Sequence, residues 1–323
     1  PKEGKFDEAA LAHYASVLEA LRSRGIEPVV TLWHFTLPQW LMKRGGWEAR
    51  DAVECFKKFV GRVVHDFALQ VRYWVTVNEP TVYAWKAYRE GVWPPQAHDA
   101  LRSQKVLERL IHAHRAAYDI IKFVDPASSV GVAHRLTEFE PSRPHSVADR
   151  LLAYAVEQFS NTRPLEATAA TSDLIGVNYY SRRRVRFSLT QPHNFFIRTE
   201  PPVFATTDLG WEIYPEGLLQ VLRRLAKYLK PIIITENGLA DATDAFRSRF
   251  IVEHLWRVRQ AMEESIDVRG YLHWSLLDNF EWADGFGPRF GLIEVNYENQ
   301  KRTPRPSAEV YGQICRTGRL PQL

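Results

Sequence analysis

The sequence has few of the residues and segments that mark several classes of protein. Only two cysteines, Cys55 and Cys315, occur among 323 residues, and neither has the spacing of a zinc site or a CxxC redox pair. No apolar run is long enough for a transmembrane helix, and no secretory signal sequence opens the chain. We therefore expect reduced thiols, no membrane association and a cytoplasmic location.

A strong excess of one charge is also absent, since 42 Lys and Arg against 38 Asp and Glu give a net charge of +4. The one notable basic cluster is Arg182–Arg184, and a solvated loop explains it better than nucleic-acid binding does. His112 and His114 lie two positions apart on a predicted helix, so they face different directions and make a poor metal pair. The sequence predicts no metal, no cofactor and no nucleic-acid partner.

Two buried strands that end in a carboxylate stand out among the segments that are present. Val71–Pro80, VRYWVTVNEP, is a nearly continuous apolar run that must stop at Pro80, which places Glu79 at its carboxyl end. A single glutamate of this kind more often caps the next helix. However, Pro231–Gly238, PIIITENG, repeats the construction with Glu236. Two carboxylates at two strand ends are what cleavage of a glycosidic bond requires.

Strands and helices alternate along the chain without a break in composition, which favours a parallel α/β protein in one domain, residues 1–323. Polar or aromatic residues at the ends of five strands favour a closed barrel over a doubly wound sheet. A long loop around Trp93–Pro95 is predicted between the second strand and the third helix. The predicted strands are Pro28–Trp33, Val71–Val77, Val130–His134, Leu174–Tyr180, Pro231–Thr235 and Gly270–Trp274. The predicted helices are Asp7–Arg24, Ala52–Phe67, Leu101–Phe123, Val147–Phe159, Pro215–Leu229, Phe250–Glu264 and Ser307–Ile314.

Six motifs, in order, resemble those of glycoside hydrolase family 1, the β-glucosidase family of TIM-type (β/α)8 barrels with catalytic acids on strands four and seven. They are VTLWHFTLPQWL at Val30–Leu41, WVTVNEP at Trp74–Pro80, LIGVNYYS at Leu174–Ser181, GWEIYPEGL at Gly210–Leu218, ITENG at Ile234–Gly238 and HWSLLDNFEW at His273–Trp282. The ending of the chain is similar to the family's last strand pair and helix.

The resemblance implies a role for each matching position. Glu79 corresponds to the general acid/base and Glu236 to the nucleophile. The remaining matches are Asn78 on the sugar's 2-hydroxyl, Tyr180 on the nucleophile, His34, Glu281 and Trp282 on the non-reducing sugar, Trp274 as its stacking platform, Trp211 near the leaving group, and Asn178 as a further substrate-binding residue. Without the motifs, most of these side chains would be read as core residues.

The expected activity is that of a retaining β-glycosidase. In this family the two carboxyl groups lie about 5–5.5 Å apart, which allows a covalent glycosyl-enzyme and net retention. The implied ligand is a small-molecule β-glycoside or oligosaccharide: β-glucosides first, with β-galactosides and β-fucosides as further candidates. Glu281 would repel a 6-phosphate where phosphoglycosidases carry Ser, and Glu79 replaces the Gln of thioglucosidases. A Phe, Phe35, stands where many relatives carry Trp.

The largest departure from the family is at the start, because its first two βα units have no counterpart here and only six barrel strands are visible. The chain is either an amino-terminally incomplete barrel or a shortened one. Two other functions therefore stay open: an inactive or sugar-binding remnant, and an enzyme that mainly transglycosylates. The oligomeric state is not predicted.

Overall fold

The computed structural model describes residues 2–191 and 194–322, which fall into two compact units. The first unit comprises Pro1–His134 and Pro164–Gly176, and the second comprises Arg135–Arg163 and Val177–Leu323. The single domain over residues 1–323 stays a prediction, and its two end residues lie outside the described part.

All six predicted barrel strands are present, together with short strands outside them. The strands are β1 (Val29–Thr31), β2 (Tyr73–Asn78), β3 (Ser129–Arg135), β4 (Glu138–Pro141), β5 (Leu174–Tyr179), β6 (Arg182–Phe187), β7 (Ile197–Thr199), β8 (Ile232–Asn237), β9 (Val268–His273), β10 (Ile293–Val295) and β11 (Arg302–Pro304). The predicted solvated loop at Arg182–Arg184 was wrong, because these residues open β6. Arg182 is buried there between two carboxylates, Glu140 and Glu212, each 2.7 Å away.

The seven predicted helices are also present. The α-helices are α1 (Glu8–Arg22), α2 (Gln39–Lys43), α3 (Ala52–Phe67), α4 (Pro80–Tyr88), α5 (Ala100–Val124), α6 (Val147–Glu157), α7 (Arg163–Ala169), α8 (Pro215–Leu225), α9 (Arg247–Glu263) and α10 (Pro306–Thr317). The predicted loop after β2 was partly wrong, because α4 occupies its start. Pro80 is the first residue of α4, a position where its fixed φ suits a helix and its missing amide costs nothing. Among the described residues, none of the helices has the length and apolar character needed to span a bilayer.

In the first unit, the strand order is β1-β2-β3, with the start of β5 next to β3. The β1–β2 and β2–β3 pairs are parallel, with Trp74 opposite Val30 on one side and Val130 on the other. Helix α5 packs against α3 and α4. The core beside it includes Trp47, Trp74 and Leu110, all essentially inaccessible to solvent.

In the second unit, β8 lies between the end of β5 and β9, and the β8–β9 pair is parallel. A separate small sheet has the order β4-β6-β7, and β10 pairs with β11 in an antiparallel ribbon. Helices α8 and α9 pack together over a core that includes Leu239, Phe250 and Ile251.

The two strands that end in candidate catalytic carboxylates share an irregularity. The register of β2 against β3 shifts between Val75 and Asn78, and that of β8 against β9 shifts between Ile234 and Asn237. Such bulges bend a strand and re-aim its side chains, and they are common beside active sites.

Candidate active site

The part of the candidate site in the first unit is the carboxyl end of β2. The backbone amide of Asn78 donates to the carbonyl of Trp33 at 2.9 Å, and that of Glu79 donates to the carbonyl of Ala133 at 2.8 Å. The Asn78 and Glu79 residues are 2% and 5% exposed. These two consecutive backbone amides bond to the chain segments on either side of β2. The backbone of the strand end, from which the two polar side chains project, is therefore held in a fixed position.

The backbone of Glu79 has an unusual conformation. Its φ of 43° and ψ of 58° lie in the left-handed region, which costs a non-glycine residue about 1–3 kcal/mol. Glu79 stands at the N-cap position of α4, yet its side chain makes no capping hydrogen bond there. The side chain of Glu79 therefore does not cap α4, so the interpretation of Glu79 as a simple helix-capping residue is not supported.

His34 lies next to this strand end. The Asn78 amide donates from Nδ2 to Nε2 of His34 at 3.0 Å. Burial lowers the pKa of His34 to about 4, so the ring is neutral at neutral pH and its Nε2 can accept this bond. The neighbouring Phe35 has a φ of 71° and meets the His34 ring edge to face at 4.9 Å. Within the first unit, the partly buried His34 thus lies beside the buried strand end that carries Asn78 and Glu79.

The part of the candidate site in the second unit is built around Glu236, the residue before the end of β8. The hydroxyl of Tyr180 donates to Oε2 of Glu236 at 2.6 Å, and both residues are buried. A short, charge-assisted bond of this kind orients a carboxylate and favours its ionised form. This is the arrangement that a carboxylate nucleophile needs.

The residues that flank Glu236 are fixed by hydrogen bonds to β5 and β9. The hydroxyl of Thr235 donates to Oδ1 of Asn178 at 2.6 Å. The side-chain amide of Asn237 donates from Nδ2 to the carbonyl of Tyr179 at 2.6 Å, and its Oδ1 accepts from the Tyr271 hydroxyl at 2.7 Å. Asn178, predicted as a substrate-binding residue, is fully buried.

Trp274 and Glu281 form the third element of the second unit's group. The indole of Trp274 donates to Oε1 of Glu281 at 3.1 Å, and both side chains are partly exposed. The chain directly after β8 passes close to the backbone of Trp274, so a Cβ on Gly238 would overlap the carbonyl oxygen of Trp274. A glycine is therefore required in the ITENG motif. Trp282 follows Glu281 and opens a short 3-10 turn, Trp282–Asp284.

An aromatic cluster joins several of these residues. Trp211 meets the Tyr180 ring at 5.5 Å, and Trp211 and Trp274 pack against the buried group that contains Tyr180 and Phe290. The guanidinium of Arg135 lies over the Tyr180 ring at 4.4 Å. Sequence reasoning missed Arg135, although it follows the rule that selected the others: it is a polar residue at the end of a buried strand, β3.

The ten predicted site residues therefore fall into two groups. His34, Asn78 and Glu79 lie together in the first unit. In the second unit, hydrogen bonds and ring packing link the others around Tyr180 and Trp274. Asn178 joins them through its bond to Thr235, beside Glu236, and Trp282 is adjacent to Glu281 in the chain. The seven residues of this second group are Asn178, Tyr180, Trp211, Glu236, Trp274, Glu281 and Trp282.

One group of described side chains away from these residues brings ligand-type atoms together: Glu3, Asp51 and Cys55. The guanidinium of Arg44 bonds to both carboxylates, so the arrangement is an ion-pair network on the surface of the first unit. The absence of a metal cofactor stays a prediction.

The sequence profile of glycosyl hydrolase family 1 matches residues 1–163 and 160–319. The chain belongs to this family of glycoside hydrolases. The expected (β/α)8 fold class is thereby confirmed, and within the described residues six strands form its sheet, in the order β1-β2-β3-β5-β8-β9.

Individual relatives agree with this assignment. The β-galactosidase of Sulfolobus acidocaldarius is 36% identical over 97% of this chain and 71% of its own length. The galactolipid galactosyltransferase SFR2 of Arabidopsis thaliana, a chloroplastic protein, is 32% identical over 96% of this chain and 51% of its own length. The structure of the β-glucosidase from Thermotoga maritima in complex with deoxynojirimycin superposes with a TM-score of 0.92, at 27% identity, over 98% of this chain and 80% of that one.

Proposed function

We propose that the protein hydrolyses terminal β-D-glycosides with net retention, with Glu236 as the nucleophile and Glu79 as the general acid/base. The observation that carries the proposal is the 2.6 Å hydrogen bond from Tyr180 to Glu236, at the end of a buried strand in the ITENG motif. Membership of the family supplies the reaction class, and the names of the relatives supply the candidate sugars, glucose and galactose.

The proposed chemistry divides the work between the two carboxyl groups. Glu236 attacks the anomeric carbon while Glu79 protonates the leaving oxygen, which breaks the glycosidic bond and leaves a glycosyl ester on Glu236. Glu79 then takes a proton from water as the water attacks that ester, which frees the sugar with its original configuration. Glu79 must be protonated at the start, and its burial disfavours the charged form.

The sugar would be held by polar groups and aromatic faces that the family motifs supply. His34, Asn78 and Glu281 offer acceptors and donors to hydroxyl groups, and Trp274 offers an aromatic face to the apolar side of a pyranose ring. Trp211 is proposed on the leaving-group side. The bond from Trp274 to Glu281 orients the carboxylate that would bind the sugar.

The test is turnover of 4-nitrophenyl β-D-glucoside, β-D-galactoside and β-D-fucoside by the purified 323-residue chain, with the first-formed anomer followed by proton NMR. We expect hydrolysis, with the glucoside among the substrates, and β-glucose as the first product. First-formed α-glucose would contradict retention. A folded chain without turnover would support the inactive or sugar-binding remnant.

Transglycosylation is the second candidate, and the relative that is named a galactosyltransferase favours it. The same glycosyl-enzyme would then react with an alcohol or sugar instead of water. Adding an acceptor alcohol or a second sugar and separating the products distinguishes the two candidates, because a transferase yields mainly the new glycoside. Free sugar as the sole product would exclude this second function.

We also propose that the protein works in the cytoplasm. The support is the pair of free thiols, Cys55 and Cys315, which suits a reducing compartment. Detection of the native protein in a cell fractionation experiment tests this location.

A further inference from the structure

Arg135 is a cation that makes no salt bridge to a carboxylate among the described residues. It is the last residue of β3 and is half-buried. Its guanidinium carbon lies 4.4 Å from the ring centroid of Tyr180 and 5.1 Å from that of Trp211. Across the described residues 2–191 and 194–322, these ring contacts are the only interactions recorded for its side chain.

The charged residues that flank these rings in the chain are already paired. Arg182, two residues after Tyr180, bonds to Glu212, the residue after Trp211, and also to Glu140. Each of these two contacts measures 2.7 Å, and the three side chains are wholly or partly buried. The positive charge of Arg135 is therefore left to act on other groups next to the Tyr180 ring.

The group that Tyr180 contacts through its hydroxyl is the candidate nucleophile. Tyr180 donates to Glu236 at 2.6 Å while Arg135 covers the face of the same ring. A cation over a ring withdraws electron density from it and so makes the phenol a better hydrogen-bond donor. One buried tyrosine side chain connects the guanidinium to the carboxylate, so the two charges lie within about 10 Å, roughly one Debye length.

We propose that Arg135 is a positioning residue for the nucleophile: it holds the Tyr180 ring in place and keeps Glu236 ionised. Arg135 acts through Tyr180 and through its charge, and it does not contact the reacting atoms. The inference rests on the proposed function, because it concerns the protonation state of the proposed nucleophile. The titratable and charged groups in this arrangement are Tyr180, Glu236, Glu281, which bonds to Trp274, and the paired set Arg182, Glu140 and Glu212.

The experiment measures kcat/KM for 4-nitrophenyl β-D-glucoside against pH in Arg135→Gln and Arg135→Lys. A nearby cation lowers the pKa of a carboxylate, so its removal raises that pKa. We expect the acid limb of Arg135→Gln to move up by about 0.5–1 pH unit, which is a loss of roughly 3- to 10-fold on that limb. Arg135→Lys keeps the charge and should keep the acid limb within about 0.2 unit of wild type.

Arg163→Gln is the matched control. Arg163 is exposed, and its guanidinium lies 4.2 Å from the Phe159 ring, so the variant removes the same charge and the same type of contact elsewhere in the second unit. Its acid limb should equal that of wild type. Arg135→Met, which keeps an apolar stem over the rings, is the second neutral variant if Arg135→Gln does not fold, and the same shift is expected.

The outcomes separate the two levels of the account. If the wild type is active and the neutral variants have the same acid limb as the wild type, the inference is overturned, even if their kcat is lower. Arg135 would then have a purely structural role. An equal shift in Arg163→Gln also overturns it, because net charge alone would then explain the effect. A folded wild type without turnover overturns the proposed function itself, and the inference with it.

Discussion

At the scale of single residues, Glu79 and Glu236 differ in their surroundings. Glu79 stands on a strained, left-handed backbone after β2, and its side chain is not used to cap α4. Glu236 accepts a 2.6 Å hydrogen bond from Tyr180. A carboxylate that receives a strong hydrogen-bond donor favours ionisation, whereas burial of a carboxyl group disfavours its charged form. Opposite environments of this kind are how two identical residues take acid and nucleophile roles.

Glu79→Gln tests the acid/base role. The amide keeps the shape but cannot lose a proton, so the alkaline limb of the kcat/KM profile should disappear. General acid catalysis contributes about 10²–10⁴-fold, so a loss of that size is expected with a poor leaving group. Glu90→Gln, which changes an exposed carboxylate paired with Lys86, is the control and should keep both limbs. An unchanged alkaline limb in Glu79→Gln would assign that limb to another group.

Most of the candidate residues could be predicted because they follow buried strands in recognisable motifs. The sequence did not predict all the hydrogen bonds between these residues. The bond between His34 and Asn78 joins positions 44 residues apart, and the bond between Tyr180 and Glu236 joins positions 56 apart. Arg135 was missed because the predicted third strand ended one residue earlier, at His134, and no motif covers it.

At the scale of secondary-structure elements, one buried carboxylate holds the chain after β9 to the β10–β11 ribbon. Asp278 accepts two bonds of 3.0 Å from Arg305 and one of 2.9 Å from the amide of Gly291. The amide of Val295 adds a bond of 3.2 Å. This segment follows Trp274 and precedes Glu281, so the same clamp positions two candidate sugar-binding residues.

Asp278→Ala should therefore destabilise the protein strongly. It leaves the buried Arg305 guanidinium without its carboxylate partner, and breaking a buried ion pair costs about 3–5 kcal/mol of unfolding free energy. Urea unfolding followed by circular dichroism measures this loss. Glu309→Ala, which removes an exposed partner of Arg316, is the control and should leave the midpoint nearly unchanged. Equal midpoints for the two variants would show that Asp278 does not clamp this segment.

Two buried histidines, one in α5 and one in β3, make the free energy of unfolding depend on pH. In the first unit, burial lowers the pKa of His114 to about 4 and that of His134 to about 3. His114 bonds Thr76 at 2.7 Å and His134 bonds Thr168 at 3.1 Å. Below pH 6.5 the unfolded chain binds protons that the folded chain does not, so stability is lost as the pH falls from 6.5 towards 4.

His134→Gln should reduce this pH dependence. Glutamine can still reach the Thr168 hydroxyl but does not titrate, so the drop in unfolding free energy between pH 7 and pH 5 should shrink by about 1–2 kcal/mol. Urea unfolding at the two pH values provides the measurement. His65→Gln serves as the control, since the His65 side chain is 84% exposed. The same pH dependence in wild type and His134→Gln would contradict the assignment.

Strands were easier to predict than the segments between them, for physical reasons. Nearly continuous apolar runs such as Leu174–Tyr179 indicate strands buried on both faces. The β4-β6-β7 sheet was missed because RRRVRF at Arg182–Phe187 has the charge of a solvated surface, and only the partners of Arg182 reveal its burial. Helix α4 was missed because its sequence is apolar nearly all round, with Tyr83, Ala84, Ala87 and Tyr88 all buried.

At the scale of the whole molecule, family membership establishes the class of fold and the class of reaction. The measurements proposed above identify the sugar and the group, water or another acceptor, to which it is transferred. The chain spans 80% of the solved β-glucosidase chain to which it is similar and 71% of the β-galactosidase relative. The six motifs lie in both units, so neither unit alone carries the full set of candidate residues. The activity of the 323-residue chain is therefore a property to be tested on the chain as a whole.

Chemical rescue of Glu236→Gly tests whether Glu236 is the nucleophile of a retaining β-glycosidase. The variant should lose turnover of 4-nitrophenyl β-D-glucoside, since no covalent glycosyl-enzyme can form. Added azide or formate should restore part of the turnover, because a small anion can attack from the space that the carboxylate leaves. The product with azide should be the inverted α-glucosyl azide. Wild-type turnover in Glu236→Gly without added anion would show that Glu236 is not the nucleophile.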